Sequence, residues 1–379
     1  MTTGMGWQAA EGRAYGGPGR YIQRAGEIER LPEHVRDFGG SVFVLVDRIV
    51  EERYGASIRR SFEAAGLPAR MEVFGGECCT AEIDRVAALV AQGGADVVVG
   101  IGGGKTADTA KVAAIRNGAR IAIVPTIAST DAPTSAIAVR YNEEGVMQEA
   151  ISLPRNPDIV ILDSALIAAA PVRFLVAGMG DALSTYFEAR SNLESRSPNF
   201  IRPYLPAPLA GIAIARACHE TLMRDGLAAK LAAERGLLTP AVENIIEANT
   251  LLSGLGFENC GVSGAHGIHD GLTVFPQTRR FFHGEKVAFG VLCLLMLEGR
   301  PLAEIEEIAR FCRSVGLPTT LADLDLEGAG PDEMMRVAEA ALKPGAILTR
   351  VATPISAAIV RDAILALDAY TSSLVPDAR

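Results

Sequence analysis

Four side chains between positions 181 and 283 have the chemistry to hold a metal ion. Asp181 lies in "AGMGDALSTYFEAR", His266 and His269 in "SGAHGIHDGL", and His283 in "FFHGEKVAFG". The chain has five histidines, and three of them fall within residues 261–284. Two imidazoles and one carboxylate suit a borderline divalent ion such as Zn2+ or Fe2+ and leave a coordination position open for substrate. The spacing matches no short metal motif. The alternative at each histidine is an imidazole hydrogen-bonded inside a helix bundle.

A second chemical feature is "VVVGIGGGKTADTAKVAA", residues 97–114. A triphosphate loop, GxxxxGK[ST], needs its first glycine five residues before Gly104, and that position is Val99. The GxGxxG dinucleotide pattern fails as well, because Lys105 stands at its last position. The general physics survives. Glycines let the backbone approach a phosphate, and a helix starting near Thr106 directs its positive end there. The alternative is a strand-to-helix turn without a ligand, and three adjacent glycines speak against it, because each costs backbone entropy.

The third feature is "VPTIASTDAPTSA", residues 124–136, which follows a strand-like run. Hydroxyls and the Asp131 carboxylate stand there at a strand's carboxyl end, where open α/β sheets bind ligands. The alternative is an ordinary loop in which Asp131 caps the next turn.

The elements that must position these residues fall into two textures. Up to Asp163, short apolar runs ("SVFVLV", "DVVVGI", "RIAIVP", "DIVILD") alternate with helical patterns over residues 82–92 and 107–117. That order indicates a parallel sheet covered on both faces, and residues 139–148 read as a hairpin hung on it. Beyond residue 165 the sequence keeps a 3.6-residue period and strand-like runs largely stop. The expected organisation is an α/β Rossmann-like domain over residues 1–166 and an all-α domain over 167–379, with 1–16 a flexible lead-in. Of the 379 residues, 49% are hydrophobic, ample for a large core, and no 18-residue apolar run suggests a membrane span. A net charge of −9 argues against nucleic acid or an anionic membrane as partner. The six cysteines show no CxxC spacing and read as reduced thiols in a cytoplasmic protein.

Together the segments "PGRYIQRAG", "FGGECCTAEIDRVA", "GIGGGKTADTAK", "PTIASTDAPTSA", "GMGDALSTYFEAR", "IEANTLLSGLGFENCG", "AHGIHDGL" and "HGEKVAFG" strongly resemble the glycerol dehydrogenases of the metal-dependent, iron-containing alcohol dehydrogenase superfamily. The resemblance runs from about Pro18 to Leu324. It implies the dehydroquinate synthase-like fold: an N-terminal dinucleotide-binding domain and a C-terminal helical domain that carries metal and substrate. It implies Asp181, His266 and His283 as ligands of one divalent ion, Zn2+ with Fe2+ as the alternative. NAD would be held by Gly102, Gly103, Gly104 and Lys105 at the pyrophosphate, with Thr126, Ser129, Ser135, Ile137 and Tyr141 as further contacts. Asp47 matches the acidic residue that holds the adenosine ribose, where a carboxylate also repels a 2′-phosphate. Asp131 matches a polyol-binding carboxylate. Apart from the resemblance, His269 lies three residues after His266 on the same helical face and reads as a supporting or proton-relay residue, with packing as the alternative.

The implied reaction is oxidation of glycerol to dihydroxyacetone, and of related vicinal diols, by hydride transfer from an alkoxide that the ion stabilises. The implied assembly is a homo-oligomer, an octamer by analogy. The rivals are a dehydrogenase of another polyol or a polyol phosphate, a dehydroquinate synthase-like lyase, and an NAD-sensing binding protein. Residues 191–213 and 345–362 depart from the family pattern. In the first, Arg196 or Arg202 could select an anionic or larger polyol, or could simply belong to a solvated loop.

Overall fold

The computed structural model describes residues 12–343 and 345–374. In chain order come β1 (Tyr21–Gln23), α1 (Leu31–Val35), β2 (Val42–Val46), α2 (Arg48–Ala64), β3 (Ala69–Val73), α3 (Thr80–Gly93), β4 (Val97–Gly102) and α4 (Gly104–Arg116). Then follow β5 (Arg120–Pro125), the hairpin strands β6 (Ile137–Tyr141) and β7 (Met147–Ser152), β8 (Ile159–Leu162) and α5 (Ser164–Ala168). The helices after it are α6 (Val172–Ser195), α7 (Leu209–Ala233), α8 (Pro240–Glu247), α9 (Ser253–Cys260) and α10 (Gly264–Leu272). The last are α11 (His283–Leu297), α12 (Leu302–Val315), α13 (Pro331–Ala341) and α14 (Ala357–Ser373).

Contacts divide the described chain into two units. One comprises residues 17–179 and 224–254, the other residues 12–16, 180–223 and 255–374. This differs from the single cut expected at 166/167. Segment 224–254 is helical, as its periodicity indicates, yet it packs on the α/β unit. Glu243 of α8 accepts hydrogen bonds from Gln23 Nε2 (2.5 Å) and Ser164 Oγ (2.6 Å), and Asn249 Nδ2 donates to the Ala128 carbonyl (3.0 Å). A 3.6-residue period announces a helix but not the surface that buries it.

The α/β unit is built on a six-stranded sheet in the order β1-β8-β5-β4-β2-β3, all neighbours parallel. Every residue of β2 and β4 is buried, as continuous β-branched runs require when helices cover both faces. β1 and β3 were not anticipated. β1 is three residues long, and β3 alternates Ala-Arg-Met-Glu-Val on the edge, with no apolar run to mark it. The hairpin β6–β7 pairs antiparallel as a separate two-stranded sheet instead of joining the main one. Chain order reverses between β2 and β4, with β3 outward on one side and β5 and β8 on the other. Ligands bind in open α/β sheets at the carboxyl ends of such a strand pair. Asp47 and the glycine turn stand at those two ends.

In the helical unit α11 is buried around its whole circumference from Gly284 to Leu295. Each large side chain so buried, such as Phe289 or Leu292, contributes about 1.5–3 kcal/mol. Of the expected flexible lead-in, residues 1–11 lie outside those described. Residues 14 and 16 are tied down: Gly16 exchanges two 2.8 Å hydrogen bonds with the Asn259 amide, and the Ala14 carbonyl accepts from Asn199. All six cysteines are free, five of them buried. Among the described residues no helix is long and apolar enough to cross a membrane.

Candidate metal centre and glycine turn

In the helical unit three helices bring Asp181, His266 and His283 together. Asp181 lies in α6 and is 2% exposed, His266 lies in the first turn of α10, and His283 opens α11. Their donor atoms all lie within 4.8 Å of one another. Asp181 Oδ1 is 3.2 Å from His283 Nε2 and 3.7 Å from His266 Nε2, and the two Nε2 atoms are 3.3 Å apart. Ligands at zinc-like distances of about 2.0–2.1 Å in a tetrahedral arrangement stand about 3.3 Å apart. The donor set therefore fits a small divalent ion in spacing as well as in chemistry.

The tautomers are set from behind. Glu188, fully buried, accepts from His266 Nδ1 at 2.7 Å, which leaves the Nε2 lone pair aimed at Asp181 and His283. Its other oxygen accepts from the backbone N–H groups of Ser263 (2.8 Å) and His266 (2.9 Å). The α10 N-terminus, whose N-cap Ser263 makes no side-chain cap, is thus capped by a carboxylate from α6. Sequence reasoning missed Glu188. The available signal was its position seven residues after Asp181, two helical turns on along the same face.

His269 does not belong to the converging triad, and both its ring nitrogens are engaged. Nδ1 lies 3.0 Å from Asp270 Oδ1, and Nε2 lies 3.0 Å from His283 Nδ1. Burial, reinforced by His283, pushes the His269 imidazole down to about 3, so it stays neutral. A neutral ring donating from Nδ1 to Asp270 must accept at Nε2 from His283 Nδ1–H. His283 Nε2 is then left with its lone pair free of a proton. His269 thus stands behind His283.

In the α/β unit, β4 passes through Gly102 and Gly103 directly into α4. A Cβ on Gly100 would lie 2.6 Å from Ala110 Cβ, and one on Gly102 would lie 2.7 Å from Thr106 Oγ1. The glycines thus allow close helix–strand packing. The α4 N-terminus starts at Gly104 with no side-chain cap, which suits an anion. The Lys105 ammonium is 2.5 Å from Glu77 and 5.0 Å over the Tyr141 ring, so in this structure it is engaged by a carboxylate. Asp47 is the N-cap of α2, its Oδ1 accepting from Ile49 N–H at 2.9 Å, and Arg48 beside it is exposed.

The loop after β5 holds the remaining candidates. Thr126 is buried and its N–H donates to the Gly102 carbonyl, while Ser129 is partly buried. The Ser135 hydroxyl turns inward, donating to the Ala132 and Ile137 carbonyls at 3.2 and 3.4 Å, so its side chain clasps the loop. Asp131 precedes a short 3-10 turn but makes no side-chain cap to it. Its Oδ2 accepts from Ser253 Oγ at 2.7 Å. In the divergent segment 191–213 of the helical unit, Arg196 and Arg202 are both exposed, and the loop is organised around buried Asn199.

A Rossmann-like switch point and a convergent imidazole–carboxylate set are the parts of a metal-assisted dehydrogenase. Residues 18–164 match the sequence profile described as iron-containing alcohol dehydrogenase. The glycerol dehydrogenase of Thermotoga maritima is 47% identical over 354 residues, 93% of this chain and 96% of that protein. The chain belongs to the iron-containing alcohol dehydrogenase family, and it is an oxidoreductase. Among solved structures, a probable glycerol dehydrogenase from Sinorhizobium meliloti 1021 superposes with a TM-score of 0.90 at 61% identity, covering 96% of this chain and 100% of that one. The glycerol dehydrogenase of Schizosaccharomyces pombe gives 0.92 at 37% identity, covering 96% and 92%.

Proposed function

We propose that this chain is an NAD-dependent dehydrogenase of glycerol and related vicinal diols. The observation that carries the reading is the convergence of Asp181 Oδ1, His266 Nε2 and His283 Nε2 at the edge lengths of a divalent-ion site. The names of the similar proteins support glycerol as substrate. A bound Zn2+ supplies the Lewis acidity that lets a substrate hydroxyl lose its proton near neutral pH. His266, His283 and the Asp181 carboxylate would hold that ion, with Glu188 and His269 orienting the two imidazoles toward it. Asp131 accepts from a second substrate hydroxyl and so selects polyols over simple alcohols.

In the balanced reaction the C2 carbon of glycerol gives hydride to C4 of the nicotinamide. The hydroxyl proton goes to solvent, and dihydroxyacetone and NADH leave. The α/β unit is assigned the cofactor: the α4 N-terminus and Gly102–Gly104 take the pyrophosphate, and Asp47 takes the ribose. Thr126, Ser129, Ile137 and Tyr141 line the remainder. For Lys105 to reach phosphate it must exchange its Glu77 partner. The helical unit is assigned metal and substrate. The reading includes a homo-oligomer in the cytoplasm, a reducing compartment consistent with six free cysteines.

Exhaustive chelation should abolish polyol-dependent NADH formation, and Zn2+ or Fe2+ added separately should show which ion restores it. Full activity after chelation overturns the metal assignment. A glycerol and 1,2-propanediol panel in which NADH accumulates stoichiometrically excludes a lyase that returns its hydride within each turnover.

A further inference from the structure

Helix α8 does not end in a loop. It runs through a five-residue π-helical turn, Ala248–Leu252, directly into α9. Such turns are rare and are frequently found at functional sites. Here the turn and the two residues after it meet the loop that carries Asp131.

Asn249 Nδ2 donates to the carbonyls of Ala128 (3.0 Å) and Leu175 (2.9 Å). The Thr250 carbonyl accepts from Thr134 Oγ1 at 3.2 Å. Ser253 Oγ donates to Asp131 Oδ2 at 2.7 Å. Position 254 must be glycine, because a Cβ there would fall 1.9 Å from Thr134 Oγ1 and 3.0 Å from the Asp131 carbonyl. Asn249, Thr250 and Ser253 are all fully buried, whereas Asp131 is partly exposed. A helix thus offers the loop a buried, polar and close-packed face.

We infer that Ser253 is a positioning residue for polyol selection: its hydroxyl holds the Asp131 carboxylate in the orientation that receives the second substrate hydroxyl. The inference rests on the reading of Asp131 given above. Two observations set Ser253 apart from a packing residue. Its hydroxyl bonds to the Asp131 side chain, while the Asn249 amide and the Thr250 carbonyl bond to the Ala128 carbonyl and the Thr134 hydroxyl. The loop also has anchors that do not involve Ser253. The buried Lys111 ammonium donates to the carbonyls of Ala132 (3.0 Å), Ser135 (3.4 Å) and Ile137, so removing one hydroxyl leaves the backbone in place. What is lost is a short charge-assisted bond, among the stronger hydrogen bonds a side chain can make.

The test is a double-mutant cycle of wild type, Ser253→Ala, Asp131→Ala and the double variant. Glycerol and 2-propanol serve as substrates, and NAD affinity and melting temperature are measured on each protein. Ser253→Ala should raise the KM for glycerol about tenfold with kcat within about twofold. It should leave the KM for 2-propanol, NAD affinity and melting temperature near wild type. In the Asp131→Ala background the same substitution should change nothing further. Ser253→Cys, nearly isosteric but a weak donor, should reproduce the KM rise without opening space.

An unchanged glycerol KM in both Ser253 variants overturns the inference while leaving Asp131's role standing. An equal rise in the Asp131→Ala background, or a loss of NAD affinity or fold, makes Ser253 a packing residue and also overturns it. If Asp131→Ala itself leaves the glycerol KM unchanged, the reading of Asp131 falls, and the inference falls with it.

Discussion

At the residue scale the candidate centre is governed by which nitrogen of each imidazole carries the proton. Glu188 settles this for His266, and Asp270, acting through His269, settles it for His283. Burial works against the charge of Asp270, but the hydrogen bond from His269 favours it, and the carboxyl is held below its usual range. Glu188→Gln separates tautomer control from shape. A glutamine oxygen can still accept from the Ser263 and His266 N–H groups, but its amide then points NH2 at His266 Nδ1. That ring must place its proton on Nε2, where the ion should bind. Zn2+ affinity, measured by competition against a chelator, should fall about 10–100-fold. Unchanged affinity would show that Glu188 serves only as a helix cap. His266, His269 and His283 stood out in the sequence because histidine is scarce and clustered, and the family resemblance is what singled out Asp181, His266 and His283 as the ligand set. Glu188 did not, because one glutamate among many on helices carries no mark until a second helix brings His266 to it.

At the scale of elements, α4 does more than present its N-terminus. Residues 106–114 are all buried, among them Asp108 and Lys111. Lys111 Nζ lies 2.8 Å from Asp108, and Asp108 Oδ2 accepts from Val139 N–H at 2.8 Å. The helix therefore clamps both the Asp131 loop and the start of the hairpin from within. Lys111→Met removes the cation and leaves a buried carboxylate and several carbonyls without their donor. Loss of one partner of a buried pair costs about 3–5 kcal/mol. A urea titration should show an unfolding free energy lower by that amount, read as an earlier midpoint at unchanged slope, and no change would mean that the pair is dispensable. The apolar runs of β2, β4, β5 and β8 and the period of α3 and α4 were legible within a few residues. Edge strands β1 and β3 were not, since an edge strand need not be apolar on both faces. Nor does sequence period reveal the π-helical turn, because each of its residues is also a plausible member of an ordinary helix.

At the scale of the whole molecule, two units each close around chain segments far apart in sequence. The metal candidates span positions 181 to 283 within one unit. An ion bound there links α6, α10 and α11 and stabilises only the folded state, by about 2.7 kcal/mol at a hundredfold excess over Kd. Scanning calorimetry should show melting temperature rising with Zn2+ in the wild type. Asp181→Asn should melt at the chelated value whatever the Zn2+ concentration. A wild-type melting temperature indifferent to Zn2+ would contradict the site. Family and fold class were determined by the sequence alone, because ordered motifs and the hydrophobic period carry them locally, and the same motifs nominated the candidate ligands. Tertiary structure decided what depends on contact between distant segments. Segment 224–254 completes the α/β unit, Glu77 engages Lys105, Asp131 answers to Ser253, and His269 stands behind His283. Each is a pairing of groups whose separation along the chain says nothing about their separation in space.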